Sequence, residues 1–280
     1  MPQPALFIGH GSPMNTLERN AFTDSWRTLG EKLPRPSAIL VVSAHWFIGA
    51  TAVTAMPRPR TIHDFYGFPQ QLFDFDYPAP GDPDLAGEVA EVVKPIWCGL
   101  DHDQWGLDHG TWSVLAHLYP GADVPVLQLS INALKPLEYH IELGARLAPL
   151  RERGVMILGS GNVVHNLRRV AWDRPDAAFD WARRFDEAVL DQLATDPSAI
   201  LKLSDHPDYA MAVPTPDHFI PLLYLAGLAA EQGRLDPVIQ GYALGSLSMT
   251  SYALGVDGGC LAGKGAAGLP DGVPPDQTNT

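Results

Sequence analysis

Residues 38–46 read AILVVSAHW, an apolar β-branched run that ends in a histidine and a tryptophan. Strands that are buried on both faces of a sheet are apolar throughout, and this run has that character. Similar runs predict strands over residues 5–8, 38–43, 51–56, 124–131, 155–158 and 238–243. Helical patterns lie between them. We therefore expect a single α/β domain with a central mixed, largely parallel sheet flanked by helices.

Helix and loop signals fill the intervals between the predicted strands. Asp82 and Pro83 have the pattern of an N-cap and a first helical residue. Further helices are predicted over 136–152 and 178–193. Residues 57–83 are rich in proline and aromatic residues, which predicts an ordered, functional loop. Residues 255–280 are rich in glycine and proline, so we expect a folded domain over 1–254 and a flexible tail after it.

Composition argues against several classes of protein. The 280 residues include 19 Lys+Arg and 32 Asp+Glu, a formal net charge of −13 at pH 7. This charge disfavours binding to nucleic acid or to an anionic membrane surface. The N-terminus lacks the pattern of a signal peptide, and no apolar run reaches the ~18 residues that a spanning helix needs. Two cysteines allow at most one disulfide. We expect a soluble cytoplasmic protein.

Four histidines are candidates for a metal site. His10 and His45 each follow a predicted strand, and His165 lies in a predicted helix after a glycine-rich turn. His218 stands beside Asp217 at the start of an apolar helix. Ligands of open α/β sheets bind at the carboxyl ends of strands, where remote segments meet. Three or four converging imidazoles would bind Fe(II) or Zn(II), although each histidine alone could be an ordinary turn or hydrogen-bonding residue.

Two further histidines could belong to the same site. His109 precedes a short helix and could transfer protons, or it could be a structural histidine held by Asp108. His63 belongs to the aromatic loop and could line a pocket. The sequence contains no nucleophile elbow and no complete dinucleotide or phosphate-binding fingerprint, and neither cysteine has an activated setting. Covalent acyl transfer, nicotinamide redox chemistry and nucleotide binding are therefore disfavoured.

Eight motifs occur together in an order that is typical of one enzyme family. They read FIGHGSPMN, VVSAHWF, TIHDFYGFP, YPAPGDP, DHGTW, VPVLQLSIN, GSGNVVHNLR and TPDHFIPLLYLAG. Together they resemble the class III extradiol ring-cleavage dioxygenases of the LigB-like superfamily, and within it the branch of bacterial and plant 4,5-DOPA dioxygenases. The resemblance implies that residues 1–254 form the catalytic domain, with a metal at the carboxyl ends of the strands, and that the tail lies outside it.

The resemblance also implies a role for each candidate metal ligand. His10 and His45 match two ligands of the family's metal. The third ligand is a carboxylate in more distant members, and its place is matched here by His218, with Asp217 as the alternative. His165 matches the family's acid/base histidine and would be a fourth ligand in an empty site.

The same resemblance implies the cofactor and the reactants. Fe(II) would be the cofactor, with Zn(II) an alternative in the purified protein, because O₂ reacts slowly with closed-shell catechols and a metal with open positions binds both. A DOPA-like or other substituted catechol would be opened to a muconic semialdehyde. The family includes monomers and homodimers. A zinc-dependent hydrolase and a non-enzymatic metal-binding protein on the same fold are the alternatives.

Residues around the metal would bind the substrate. His109 would orient the substrate or O₂, or share the proton transfer. Trp46, Tyr66 and Phe68, together with His63, would line the pocket and exclude water. An arginine would hold the carboxylate of a DOPA-like substrate, and the candidates in this sequence are Arg58, Arg60 and Arg168.

Overall fold

A mixed sheet of nine strands forms the centre of the protein. The computed structural model describes residues 2–256 and 261–262. The strands in chain order are β1 (Ala5–Gly9), β2 (Ala38–Ile48), β3 (Ala52–Thr54), β4 (Gly99–Asp101), β5 (Val126–Asn132), β6 (Val155–Gly161), β7 (Asp236–Gln240), β8 (Tyr242–Ala243), β9 (Leu247–Ser248), β10 (Ser251–Leu254) and β11 (Leu261–Ala262). Their order in the sheet is β11-β7-β10-β1-β6-β2-β5-β3-β4, and β8 pairs with β9 separately.

The four central strands run parallel to one another. β6 pairs in parallel with β1 and β2, and β2 pairs in parallel with β5. Antiparallel strands β10 and β3 flank this group. β1, β5 and β6 are buried along their whole length, as their apolar sequences predict. The predicted α/β class with a mixed, largely parallel sheet is confirmed.

Helices cover both faces of the sheet. They are α1 (Ala21–Lys32), α2 (Gln70–Phe73), α3 (Pro83–Val92), α4 (His109–Leu118), α5 (Leu137–Arg146), α6 (Ala148–Glu152), α7 (Asp180–Thr195), α8 (Tyr209–Ala212) and α9 (Ile220–Gln232). One apolar cluster includes residues of α5, α7 and α9, and a second includes residues of α1 and α4. Leu6 and Phe7 of β1 belong to different clusters because successive strand residues point to opposite faces.

Most of the predicted helices form, and one of them is divided into two. Asp82 caps α3 by accepting a hydrogen bond from the backbone N–H of Leu85 at 3.0 Å, and Pro83 is the first helical residue, as predicted. The helix predicted over 136–152 is instead two helices, α5 and α6. Pro149 lies in the first turn of α6, and it lacks the N–H that a continuous helix would need at that position.

The long aromatic loop is ordered, as predicted. Phe65 is buried, and its ring centroid lies 5.2 Å from that of Phe68 and 5.0 Å from that of Phe73. It also lies 6.0 Å from the ring of Trp112 in α4. This aromatic packing holds the loop against α4. The first residue of α4, His109, belongs to the site described below.

The chain end is described only in part. Most of the predicted tail, residues 255–280, lies outside the described residues, although Leu261–Ala262 pair in parallel with β7 as β11. The domain boundary at residue 254 and the flexibility of the tail stay predictions. None of the helices within the described ranges combines the length and the apolar character of a membrane-crossing segment.

Candidate metal centre and adjoining cavity

Three histidines meet at the carboxyl ends of the central strands. His10 directly follows β1, His45 lies in the last part of β2, and His109 is the first residue of α4. One ligand nitrogen from each of the three lies within 4.8 Å of the other two. The Nε2 atoms of His10 and His45 are only 3.3 Å apart. The sheet therefore brings together side chains that are remote in sequence. His10 and His45 are two of the predicted ligands, whereas the third member of this group is His109 and not the predicted His218.

A serine fixes the protonation of His10. Ser160 of β6 donates its only hydroxyl proton to the carbonyl oxygen of Gly110, and its Oγ lies 2.9 Å from Nδ1 of His10. Because that proton is already used, Ser160 accepts from an Nδ1–H of His10. Nε2 of His10 is then unprotonated and directs its lone pair toward His45.

One carboxylate stands behind two of the histidines. Oδ2 of Asp64 lies 3.4 Å from Nδ1 of His45 and 2.9 Å from Nδ1 of His109, and Oδ1 accepts the backbone N–H of His109 at 3.0 Å. An ionised carboxylate only accepts, so both imidazoles face it with Nδ1–H. Nε2 of His45 then carries a lone pair, and Nε2 of His109 carries one while its ring is neutral. Nε2 of His109 is buried without a hydrogen-bond partner among the described residues.

Asp64 and His109 shift each other's pKa. Burial alone raises the pKa of the Asp64 carboxyl, but the nearby His109 and His45 outweigh burial and hold that pKa well below its usual range. Burial alone lowers the pKa of His109, but Asp64 outweighs burial and raises it above the ordinary value. His109 is therefore held by Asp64. The expected partner Asp108 instead caps α4 by accepting the backbone N–H of Thr111 at 3.1 Å.

His218 and Asp217 form a second carboxylate–imidazole pair. Nδ1 of His218 hydrogen-bonds to Oδ2 of Asp217, and Nε2 of His218 is buried without a partner in the described part of the chain. The His218 ring centroid lies 5.3 Å from that of His10 and 5.1 Å from that of His45. Asp217 was expected near the N-cap of α9. The helix begins at Ile220 without a side-chain cap, and the Asp217 carboxylate instead faces His218.

His165 lies beside this pair but not in a helix. The expected helix is wrong, because the His165 N–H donates to the carbonyl of Ala212 at 2.9 Å and the residue forms a β-bridge with Leu247. Its ring stacks on that of His218 with centroids 3.6 Å apart and planes 3° from parallel. Burial and the neighbouring His218 lower the pKa of His165 well below its ordinary value. His165 is thus neutral near pH 7.

The donor set fits a divalent metal ion. His10, His45 and His218 each face an oxygen with Nδ1, so the Nε2 lone pair of each neutral ring is available to a metal. Burial lowers the pKa of His10 and of His45, and the neighbouring histidines lower both further. Two unprotonated nitrogens 3.3 Å apart repel each other unless a cation lies between them. Neutral imidazoles with the second ring nitrogen bonded to an oxygen are the usual form of histidine ligands.

A cavity of about 430 Å³ adjoins the histidines. Its lining includes His45, His165 and His218 together with the apolar side chains of Phe47, Leu167 and Pro214. This volume is in the range of sites for small molecules. His10 and His109 are not among the lining residues.

The predicted pocket residues lie elsewhere. Trp46 is buried and stacks on Trp105, because it points to the opposite face of β2 from His45. His63 hydrogen-bonds through Nε2 to the carbonyl of Phe75, and Phe68 packs in the aromatic loop. Tyr66 is 64% exposed. None of the four lines this cavity, so their part in substrate binding stays a prediction.

Two residues behind the histidines were missed in the sequence. Asp64 lies next to His63 in the motif TIHDFYGFP. Ser160 lies in the glycine-rich turn before His165. A signal for Asp64 was present, since it is the one charged residue of an otherwise apolar and aromatic motif.

Buried imidazoles with inward-facing lone pairs, beside a cavity at the end of an α/β sheet, define a metal-dependent enzyme of small molecules. Residues 4–255 match the family described as the catalytic LigB subunit of aromatic ring-opening dioxygenase. The chain belongs to this family and is an extradiol ring-cleaving dioxygenase. Enzymes of this family depend on a metal, and they act on a small molecule and O₂.

Relatives from bacteria and plants are similar over most of their length. The chain is 50% identical over 256 residues to a protein of Escherichia coli K12 named 4,5-DOPA dioxygenase extradiol, covering 90% of this chain and 94% of that protein. It is 36% identical over 258 residues to a protein of the same name from Beta vulgaris, covering 88% and 94%. A crystal structure of an uncharacterized E. coli K12 protein is 46% identical, with a TM-score of 0.77, and covers 90% of this chain and all of that one.

Proposed function

We propose that this enzyme uses Fe(II) to open the ring of a DOPA-like catechol with O₂, giving a muconic semialdehyde. The observation that carries the proposal is the group of inward-facing Nε2 atoms beside a small-molecule cavity, in a chain of the LigB family. The names of the E. coli and Beta vulgaris relatives support a catechol with an amino-acid side chain.

His10, His45 and His218 hold the metal in this proposal. His45 and His218 also line the cavity, so their metal would border the space that the substrate occupies. When bound, Fe(II) supplies positions for both catechol oxygens and for O₂, and it relieves the spin restriction on their reaction. His109 belongs to the group of three nitrogens with His10 and His45. We nevertheless assign the third ligand to His218, because it lines the cavity and His109 does not, and we assign His109 to orienting the reactants.

His165 serves as the proton acceptor and donor. It lines the cavity, and its ring stacks on the ring of His218. A catechol bound beside His218 therefore presents a phenolic proton to an imidazole nitrogen of His165. The same imidazole can return the proton as the ring opens, because its lowered pKa makes the protonated ring a good proton donor.

Anaerobic reconstitution with Fe(II), followed by addition of O₂, tests the reaction. With DOPA and other substituted catechols we expect one O₂ consumed per catechol and a new absorbance from the ring-opened product. Protein loaded with Zn(II) should not consume O₂. An iron-loaded enzyme that turns over no catechol, or one whose reaction proceeds without O₂, would contradict the proposal.

Variants of single histidines test the assigned roles. His10→Ala and His45→Ala should abolish iron binding, because each removes a ligand. His165→Ala should keep the iron and lose most turnover. The control is His102→Ala, an exposed histidine outside the site. Wild-type turnover by His165→Ala would refute its role. Metal loss in His109→Ala, but not in His218→Ala, would exchange the roles of those two residues.

A further inference from the structure

The cavity beside the metal centre has one permanently charged basic residue in its lining, Arg168. We infer that the Arg168 guanidinium binds a carboxylate on the substrate, so the enzyme selects catechols with an anionic side chain. This inference rests on the proposed function and names the substrate feature that the cavity recognises.

Arg168 is close in sequence and in space to the proposed proton-transfer residue. It lies in a short 3-10 helix, Leu167–Arg169, and is the third residue after His165. Three residues span at most about 11 Å, even when fully extended. Both residues line the same cavity. A catechol ring placed beside His165 therefore carries its side chain toward Arg168 when that side chain is a few bonds long.

The backbone just before Arg168 is anchored to two other segments of the chain. Nδ2 of Asn166 donates to the carbonyl of Met211 at 2.8 Å, and the Asn166 N–H donates to the carbonyl of Ser246 at 3.1 Å. The hydroxyl of Ser246 donates back to the carbonyl of Asn166 at 2.8 Å. The main chain at the base of Arg168 is thus fixed, and its exposed side chain extends from there at the lining of the cavity.

The charges around the cavity favour a carboxylate at Arg168. The chain has a net charge of −13, so an anionic substrate needs a local positive charge to remain in the cavity. The carboxylate of Asp217 in the same lining already hydrogen-bonds to His218. Among the described residues, Arg168 forms no ion pair, unlike Arg146 and Arg184, which pair with surface carboxylates. A guanidinium binds a carboxylate through two parallel hydrogen bonds.

The two other arginines considered from the sequence do not have this position. Neither Arg58 nor Arg60 lines the cavity. The guanidinium of Arg60 donates to the carbonyl of Gln104 at the protein surface. Arg168 is therefore the candidate that the structure retains.

A pair of substrates with the same ring tests this inference on the iron-loaded enzyme. One is 3,4-dihydroxyphenylpropionate, which is anionic, and the other is 4-ethylcatechol, which is neutral. Arg168→Gln should raise KM for the anionic substrate by about 10- to 100-fold, the usual effect of losing a hydrogen bond to a charged group, and change kcat little. KM for the neutral substrate should stay within about twofold, and Arg168→Lys should recover part of the loss.

Calorimetric titration of the Zn(II)-loaded protein with the same two catechols measures binding without turnover. The matched control is Arg169→Gln, the next arginine in the chain, which is exposed like Arg168 but does not line the cavity. Tighter binding of the anionic catechol by the wild type than by Arg168→Gln supports the inference, whether or not the iron enzyme turns over. Equal effects on both catechols, equal binding by the two proteins, or binding by neither would overturn it. Absence of turnover with intact binding would contradict only the proposed function.

Discussion

Each inward-facing imidazole of the metal centre has an oxygen atom behind it. Ser160 supports His10, and Asp217 supports His218. These contacts hold the Nδ1–H form, so each Nε2 lone pair is already oriented before a metal arrives. The residues behind the ligands therefore contribute to metal affinity although they do not touch the metal.

Asp64 offers the sharpest test of this view, because its carboxylate faces both His45 and His109. Asp64→Asn keeps the size of the side chain and removes its charge. We expect the affinity for Zn(II) to fall by about 10- to 100-fold, as is typical when a partner of a histidine ligand is lost. Competition with a chromophoric chelator measures this affinity in the absence of any turnover.

The control for this variant is Asp74→Asn. Asp74 is an exposed carboxylate of the same loop, and its Oδ1 accepts a hydrogen bond from Gln70. It should leave the Zn(II) affinity unchanged. If Asp64→Asn bound Zn(II) within twofold of the wild type, the support that Asp64 gives to His45 and His109 would be without consequence for the metal.

At the scale of elements, the apolar strands were predictable and their carboxyl ends were not. The prediction ended one strand at residue 43, yet β2 continues through His45 to Ile48, with an irregular register against β5 after Val42. β6 likewise continues through Ser160. Small residues such as Gly and Ser carry no hydrophobic period, so their extended conformation depends on neighbouring strands that are distant in sequence.

Helices α5 and α9 pack so closely that a glycine is needed at their contact. A Cβ atom on Gly227 would lie 2.0 Å from the carbonyl oxygen of Ile141, which is backbone and cannot rotate away. Gly227→Ala should therefore lower the free energy of unfolding by about 1–3 kcal/mol or more. Urea denaturation followed by circular dichroism measures this change.

For a second glycine, Gly87, we expect the opposite effect on stability. A Cβ atom on Gly87 of α3 would meet nothing within 4 Å. Gly87→Ala should raise the free energy of unfolding by about 0.5–1 kcal/mol, because alanine loses less backbone entropy than glycine on entering a helix. If Gly227→Ala stabilised the protein as Gly87→Ala does, α5 and α9 would be able to move apart at low cost.

A buried carboxyl links α7 to the segment after β8. Asp186 accepts hydrogen bonds from Ser248 at 2.6 Å and from Thr250 at 2.7 Å, and burial raises its pKa to about 6. The folded state thus keeps this proton at a higher pH than the unfolded state. The resulting stability is fully present below about pH 4 and is lost as the pH rises through about 6. The titratable neighbours of Asp186 are Tyr242, Tyr252 and Glu187.

Comparison with Asp186→Asn isolates this contribution. The unfolding free energy of the wild type minus that of the variant should fall by about 2.4 kcal/mol between pH 4 and pH 7. Denaturation of the metal-free proteins across this range measures it. Asp191→Asn, an exposed carboxyl of the same helix, is the control. A difference that is constant with pH would mean that Asp186 titrates alike in both states.

At the scale of the whole molecule, the sequence motifs include the histidines that the fold brings together, but they do not reveal the hydrogen-bond partners of those histidines. His10 and Ser160 are 150 residues apart in the chain yet hydrogen-bond directly. No local pattern encodes such a contact, because the parallel pairing of β1 with β6 creates it. Arg168 could be proposed from its chemistry alone, whereas its choice over Arg58 required the cavity.

Metal binding should stabilise the entire fold, because the proposed ligands come from the end of β1, from β2 and from the segment before α9. Only the folded chain brings these segments together, so the metal binds the native state in preference to the unfolded one. Zn(II) at a concentration 100-fold above its Kd should stabilise the native state by about 2.7 kcal/mol. For a chain of this size, Tm should then rise by about 5–10 °C.

Differential scanning fluorimetry of chelator-treated protein, with and without Zn(II), measures this shift. His10→Ala should lose it and His102→Ala should keep it, since only the first removes a ligand. A shift that persisted in His10→Ala would place the stabilising ion elsewhere. Equal Tm values for the wild type with and without Zn(II) would mean that the converging imidazoles do not join these remote segments through a metal.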